Sequence, residues 1–245
     1  MAPGLTLETT AAGPIYGPGD DRDALVGVVI VHGSEGPMAG WAHRFAAILA
    51  AHGMLALPIG YGDGDFWRAG PIRDVDLAVI PRALQTLRAD PRCARVGVFG
   101  WSRGGEMVLL AASLLGAGAI PCVAAHAPAD VVNNAFDPVA LRAGGDWRAV
   151  DPDGPCAWAL DGQDAALRPG TEIAIERFQG PVFLSVGTAD DVWDPAMTRR
   201  LADRLAAAGN PADLLIAEGQ GHGYDFDREP ELWARLIAFF GRAAA

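Results

Sequence analysis

The chain has 245 residues, a net charge of −11 and an isoelectric point near 4.8, and 51% of its residues are hydrophobic. This composition is typical of one compact globular domain rather than a disordered chain. The acidic charge argues against nucleic acid or an anionic membrane as a partner, and no apolar run reaches the roughly 18 residues of a membrane span. The three cysteines show no metal-type spacing and the N-terminus shows no secretory pattern, so we expect a cytoplasmic protein without a disulfide framework.

Apolar, β-branched runs alternate with amphipathic helical patterns along the chain. This alternation is typical of a mostly parallel sheet with helices on both faces. The clearest strand pattern covers residues 26–31 and runs into a glycine-rich loop at 32–36. The remaining patterns predict strands at 54–59, 96–99, 120–125, 182–186 and 214–217, and helices at 41–52, 77–88, 106–115, 197–208 and 232–240.

Residues 127–179 interrupt this alternation. The segment is rich in proline, glycine, aspartate and tryptophan, and it contains no clear strand pattern. An excursion of about 50 residues inside a compact domain is more often a functional lid or insertion than a plain loop. We therefore predict a single α/β domain over residues 1–245 with a lid or insertion at 127–179.

The sequence Gly100-Trp-Ser102-Arg-Gly104 fits the G-x-S-x-G pattern of a nucleophile elbow. A strand pattern precedes the motif and a helical pattern follows it, which is the context that an elbow requires. A sharp turn exposes the serine hydroxyl above the sheet, and glycines flank the serine because side chains there would collide. The helix start directs its N–H groups and positive dipole end at the site. Ser102 is therefore the predicted nucleophile of a serine hydrolase with the α/β-hydrolase fold.

In this fold an acid and then a histidine follow the nucleophile, each on a loop after a strand. Only two of the five histidines, His126 and His222, follow Ser102. His126 has just one acid between itself and Ser102, and that acid, Glu106, lies on the nucleophile's own helix. His222 lies on a glycine-rich loop directly after the last strand, so it is the predicted base.

The acid should follow the strand at 182–186. Asp190 and Asp191 both lie there, and either carboxylate could orient the imidazole and stabilise its protonated form. Asp194 is better placed as the N-cap of the next helix, because Pro195 then occupies the first helical position. The residues alone leave Asp190 and Asp191 as alternatives.

Two backbone N–H groups form the oxyanion hole of this fold. One belongs to the residue after the nucleophile, here Arg103, whose side chain we expect to be solvated. The other comes from the loop at 32–36, where Ser34 is the first choice and Glu35 the second. Glu35 is also a candidate substrate contact. These groups and the triad perform the chemistry by themselves, so we expect no cofactor and no metal.

Aromatic side chains follow several of the predicted strands and could line an apolar acyl-binding pocket. The alternative is that they anchor long loops to the core. The candidates are Tyr61, Phe66, Trp67 and Trp158.

Four stretches resemble a known family: 32–36 (HGSEG), 100–106 (GWSRGGE), 156–162 (CAWALDG) and 187–193 (GTADDVW). They are similar to the dienelactone hydrolase-like branch of the α/β hydrolases. The similarity is greatest to the catalytic domain shared by acyl-CoA thioesterases and bile acid-CoA:amino acid N-acyltransferases. The resemblance covers about residues 25–240 and implies that the acid is the fourth residue of the glycine-led motif, which favours Asp190.

The leading hypothesis is a hydrolase that cleaves a small-molecule carboxylic ester or thioester through an acyl-Ser102 intermediate. A serine nucleophile fits hydrolysis better than transfer to an amine, so an acyltransferase with an acyl-CoA donor is a weaker alternative. An oligopeptidase-like serine peptidase is another, because residues 187–191 also resemble that group. A non-catalytic binding module is the last, and the intact set of catalytic residues argues against it.

Overall fold

The computed structural model describes residues 4–20, 22–36, 40–61, 70–139 and 150–243. These residues form an α/β domain with an eight-stranded sheet, a separate pair of two-residue strands and helices on both faces of the main sheet. The strands are β1 (Leu5–Thr10), β2 (Gly13–Pro18), β3 (Leu25–Val31), β4 (Leu55–Ile59), β5 (Val75–Asp76), β6 (Cys93–Trp101), β7 (Val123–His126), β8 (Trp158–Ala159), β9 (Val182–Gly187) and β10 (Asp213–Ala217). The helices are α1 (Trp41–Ala51), α2 (Val79–Arg88), α3 (Arg103–Leu115), α4 (Pro195–Ala207) and α5 (Glu229–Ala243).

The strand order in the main sheet is β1-β2-β4-β3-β6-β7-β9-β10. The first two strands pair antiparallel, β2 joins β4 antiparallel, and all later neighbours are parallel. This topology confirms the predicted α/β-hydrolase-like fold. Because parallel strands end at the same edge of a sheet, the loops after β3, β6, β7, β9 and β10 lie close to one another.

Apolar residues of the central strands alternate between two hydrophobic clusters, one on each face of the sheet. In β3, Val29 and Val31 pack into the cluster with α2, α3 and α4, while Val28 and Ile30 pack into the cluster with α1 and α5. A strand that is buried on both faces reads as a continuous apolar run, which is why residues 26–31 gave so clear a signal. No helix of the described ranges is long and apolar enough to cross a bilayer.

The sequence patterns missed the hairpin formed by β1 and β2. Its strands contain glycine and proline, and most of β1 is exposed, so neither strand shows the apolar run of a buried strand. The patterns also placed some element ends incorrectly. The helix predicted at 106–115 begins at Arg103, because two of its first four residues are glycines that show no helical preference.

The segment at 127–179 is largely packed onto the domain in its described part. Its apolar side chains, among them Trp158, Ile175 and Phe178, are buried in the cluster that contains α3. In the described residues, its local structure includes the two-residue strand β8, which pairs with β5, and two short 3₁₀ helices. Short elements of this kind carry no periodicity that a sequence pattern could detect.

Candidate active site

At the elbow, Ser102 is the single residue between the end of β6 and the start of α3. Ser102 adopts φ 54° and ψ −117°, a strained conformation for a residue with a side chain. Its N–H donates to the carbonyl oxygen of His126 at 2.9 Å, which fixes the turn to the neighbouring strand β7. The strain therefore occurs where the fold exposes the nucleophile.

Close backbone contacts explain both glycines of the elbow. A Cβ at Gly100 would lie 2.1 Å from the carbonyl oxygen of Gly104, and a Cβ at Gly104 would lie 2.3 Å from the carbonyl oxygen of His32. Real Cβ atoms do not approach backbone oxygens this closely, so only glycine fits at these positions. The second contact also packs the loop after β3 directly against the elbow.

His222 and Asp190 meet across the loops that follow β10 and β9. The Nδ1 atom of His222 lies 2.9 Å from Oδ2 and 3.1 Å from Oδ1 of Asp190. Oδ1 also accepts the backbone N–H groups of Val192 and Trp193 at 2.8 and 3.0 Å. Burial alone would raise the pKa of Asp190, but the hydrogen bonds and charge of His222 and these N–H groups outweigh it and hold the pKa below its ordinary value. Asp190 is therefore an ionised acceptor for the imidazole.

The neighbouring aspartates lie outside this contact. Asp191 is exposed, whereas the Asp190 side chain is fully buried behind the imidazole. Asp194 accepts the N–H of Ala196 at 2.9 Å and caps α4, as expected from the proline that follows it. Of the two alternatives from the sequence, the structure thus brings Asp190 to His222.

His126 has a different environment. Its side chain is fully buried, its Nε2 donates to the carbonyl oxygen of His222 at 3.0 Å, and its Nδ1 accepts the hydroxyl of Ser185 at 2.8 Å. Burial lowers the pKa of His126 to about 3. With both nitrogens bonded and the ring neutral, His126 supports the loop of His222 instead of exchanging protons with a substrate.

A cavity of about 340 Å³ lies over the elbow. Ser102 and His222 both line it, and so do the two predicted oxyanion residues, Ser34 and Arg103. Arg103 is the first residue of α3, so its N–H has no carbonyl one turn earlier to bind. The other lining residues are Glu35, Trp101, Phe136, Val192 and Trp193.

Comparison with known protein families shows the family of this chain. The model of the prolyl oligopeptidase family matches residues 77–245, a range that includes Ser102, Asp190 and His222. The chain belongs to the prolyl oligopeptidase family. It is accordingly a serine hydrolase with the α/β-hydrolase fold. No curated protein matches its sequence.

Solved structures with the same fold include both peptidases and ester hydrolases. A protein from Bacteroides ovatus assigned as a dipeptidyl aminopeptidase IV has a TM-score of 0.67 and 16% identity over 98% of this chain, which spans 36% of that protein. A Klebsiella pneumoniae protein assigned as a dienelactone hydrolase has a TM-score of 0.68 and 17% identity, with 98% and 99% of the two chains covered. A truncated carbohydrate esterase from gut microbiota has a TM-score of 0.63 and 16% identity, with 97% and 93% covered. At these identities the likeness establishes the fold alone.

In this member of the family, the aromatic residues predicted to line the pocket lie elsewhere. Tyr61 is buried and stacks on His32 with ring centroids 3.9 Å apart, and its hydroxyl donates to the carbonyl oxygen of His32 at 2.7 Å. Trp158 is 1% exposed and packs behind the elbow. Neither lines the cavity at Ser102, while Phe66 and Trp67 lie outside the described residues. Among the described residues, the aromatic side chains that line it are Trp101, Phe136 and Trp193. Trp101 and Trp193 belonged to motifs noticed in the sequence, whereas Phe136 did not.

The side chain of Arg103 is buried, contrary to the solvated position expected from the sequence. It is 3% exposed, and its Nη1 lies 3.4 Å from Oε2 of the fully buried Glu106. The guanidinium carbon also lies 6.0 Å from the ring of Phe136 and 5.9 Å from that of Trp193. A carboxylate one turn along α3 and two aromatic faces therefore compensate this cation inside the protein.

Glu106 also connects α3 to the segment at 127–179. Its Oε1 accepts the indole N–H of Trp158 at 2.7 Å and the backbone N–H of Asn133 at 2.9 Å, and its Oε2 accepts the side-chain amide of Asn133 at 2.9 Å. From the sequence, Glu106 was only a poor candidate for the catalytic acid of a triad with His126. Its position on the first turn after the nucleophile was the signal that could have indicated a structural carboxylate.

Proposed function

We propose that this chain hydrolyses a carboxylic ester of a small acyl group through an acyl-Ser102 intermediate. The observation that carries the proposal is the convergence of three elements on one small cavity. They are a serine on a strained elbow, an imidazole held by a buried carboxylate, and the two residues Ser34 and Arg103 whose backbone N–H groups are the predicted oxyanion donors. This is the arrangement that acyl transfer to a serine requires.

The first half-reaction forms the acyl-enzyme. The Oγ atom of Ser102 attacks the ester carbonyl while Nε2 of His222 accepts its proton, because Nδ1 is held by Asp190. In this mechanism the N–H groups of Arg103 and Ser34 stabilise the oxyanion. The tetrahedral intermediate then collapses to the acyl-enzyme, and His222 gives the proton to the leaving oxygen.

The second half-reaction releases the acid. Water attacks the acyl carbonyl, His222 accepts a proton from that water, and the same oxyanion groups stabilise the second tetrahedral intermediate. Collapse breaks the bond to Ser102 Oγ, which takes back the proton from His222. The products are the carboxylic acid and the free enzyme.

The size of the cavity favours a small ester over an extended peptide. Its volume of about 340 Å³ lies at the lower end of small-molecule sites, which range from roughly 300 to 1,000 Å³. The structural neighbours assigned as a dienelactone hydrolase and a carbohydrate esterase support ester cleavage. Membership of the prolyl oligopeptidase family supports peptide cleavage as the second candidate.

The described surroundings of the cavity give little support for a CoA thioester. CoA carries several phosphate charges, which proteins usually bind with arginine or lysine. In the cavity at Ser102, the described cation is Arg103, and Glu106 lies beside it. An adjacent cavity of about 620 Å³ contains Arg73 and Arg82 but also three aspartates, Asp74, Asp76 and Asp137.

The direct test is a comparison of acyl substrates on wild type and Ser102→Ala. We expect a burst of p-nitrophenol from p-nitrophenyl acetate in wild type and a loss of at least about 10⁴-fold in kcat in the variant. A panel of short p-nitrophenyl esters, acyl-CoA thioesters and dipeptide p-nitroanilides then ranks the substrate classes. Faster cleavage of the anilides than of the esters would support the peptidase alternative, and activity that survives in Ser102→Ala would contradict the mechanism.

A further inference from the structure

Glu35 brings an acidic side chain into the catalytic cavity for which the hydrolytic mechanism has no use. It is partly buried and lines the cavity together with Ser102 and His222. Its Oε1 accepts the N–H of Gly33 at 2.9 Å, which fixes the carboxylate against the loop that carries the oxyanion donor Ser34.

The other oxygen of this carboxylate, Oε2, lies close to the predicted nucleophile. A Cβ at Gly33 would be 2.4 Å from Oε2 of Glu35 and 3.2 Å from Cβ of Ser102. Oε2 of Glu35 and Cβ of Ser102 are thus both close to the position that a Gly33 Cβ would occupy, so the two side chains lie near each other. A charged group on the acyl chain, close to the scissile carbonyl, would be within reach of Glu35.

The charge of Glu35 has no cationic side chain within ion-pair distance in the described ranges. The nearby cation, Arg103, has its ion pair with Glu106. Burial raises the pKa of Glu35, although the hydrogen bonds from backbone N–H groups and the proximity of His222 oppose this shift. Within the described residues, an ionised carboxylate here is therefore held in place by the Gly33 N–H without a cationic side chain in ion-pair contact.

An anionic Glu35 works against the reaction of a neutral substrate. Negative charge develops on the oxyanion at the N–H groups of Ser34 and Arg103, and a second negative charge nearby destabilises that transition state. A substrate cation beside Glu35 would remove this penalty. Trp101, Phe136 and Trp193 line the same cavity, and aromatic side chains interact more favourably with a cation than with a second anion.

We infer that Glu35 binds an ammonium group carried by the acyl part of the substrate, so that the enzyme prefers aminoacyl esters to neutral acyl esters. This inference rests on the proposed ester hydrolysis and names its substrate class. The ammonium donates to Oε2 of Glu35 close to the scissile carbonyl, while the Gly33 N–H holds Oε1. Long-range attraction by the net charge of −11 acts in the same direction.

Two esters of equal shape test the inference: L-alanine phenyl ester and phenyl isobutyrate, which differ by an ammonium in place of a methyl group. The test variant is Glu35→Gln, whose amide oxygen can still accept the Gly33 N–H. For the alanine ester at pH 6.5 we expect kcat/KM to fall by at least about tenfold in Glu35→Gln. For phenyl isobutyrate we expect it to rise by about two- to tenfold, because the repulsion of the oxyanion is removed.

These opposite changes in kcat/KM distinguish recognition of the ammonium by Glu35 from a purely structural role of Glu35. A structural role would lower kcat/KM for both esters. Equal losses, or no change with either ester, would overturn the inference.

The matched control is Glu218→Gln, which removes one exposed charge from the loop of His222 and should leave the ratio of kcat/KM for the two esters unchanged. If phenyl isobutyrate is cleaved by wild type but not by Ser102→Ala, and the ratio does not move in Glu35→Gln, only the inference fails. If wild type cleaves neither ester, the proposed function and the inference fail together.

Discussion

Two histidines, His126 and His222, lie near each other at the same edge of the sheet but differ in burial and in the partner of Nδ1. His126 ends β7 and His222 follows β10, and the indole ring of Trp101 lies 4.2 and 6.3 Å from their respective ring centroids. His126 is fully buried with a hydroxyl on Nδ1, whereas the side chain of His222 is 18% exposed with a carboxylate on Nδ1. In this molecule the partner of Nδ1 and access to the cavity distinguish the proposed base, His222, from the buried His126, while position after a strand does not.

The largest expected effect comes from giving His222 a neutral partner like that of His126. Asp190→Asn should lower kcat by about 10³- to 10⁴-fold, because an amide can neither stabilise the protonated imidazole nor hold its tautomer. Asp191→Asn is the matched control and should change kcat by less than about twofold, since Asp191 is exposed. Steady-state kinetics with a p-nitrophenyl ester measures both. A larger loss in Asp191→Asn than in Asp190→Asn would assign the acid to Asp191.

A smaller effect is expected from the buried histidine. His126→Phe keeps a ring but leaves the hydroxyl of Ser185 and the carbonyl of His222 without their partner. We expect the free energy of unfolding to fall by about 2 to 4 kcal/mol and kcat to fall by roughly tenfold as the loop of His222 relaxes. Urea unfolding and steady-state kinetics measure the two changes, and His126→Gln, which keeps a donor, should restore part of each. A loss in kcat as large as that of Asp190→Asn would give His126 a direct role in proton transfer.

The smallest effect is a pH dependence of stability. Burial lowers the pKa of His126 to about 3 and that of His32 to about 4, below the value of about 6.5 expected in the unfolded chain. Above pH 6.5 both states leave these histidines neutral. As the pH falls toward 4, the unfolded chain binds protons that the folded protein does not, so the free energy of unfolding decreases by up to about 1.4 kcal/mol per pH unit for each histidine. Between pH 6 and 4, His126→Phe should show a shallower decrease than wild type in urea titrations. Equal slopes would mean that His126 can be protonated in the folded protein.

The sequence predicted those parts of the molecule that depend on local pattern. The buried run at 26–31, the glycines around Ser102 and the loop positions of Asp190 and His222 each carry a signal within a few residues. Such local signals did not predict whether a side chain is buried or which residues it contacts. The sequence places Trp158 on a loop, but its side chain is buried in the core. The Arg103 guanidinium is buried because the Glu106 carboxylate of the same helix forms an ion pair with it. Long-range contacts of this kind have no trace in composition or periodicity.

The buried carboxylate of Glu106 has a consequence for how members of this fold can diversify. Asn133 and Trp158 donate to it from the segment at 127–179, and Arg103 approaches it from the residue next to the nucleophile. The segment is therefore not an interchangeable module placed on a constant elbow. A transplanted segment that lacked these donors would leave an under-bonded charge in the core directly behind the nucleophile. New substrate ranges that depend on this segment would have to arise by changes within it, or together with compensating changes at Arg103 and Glu106.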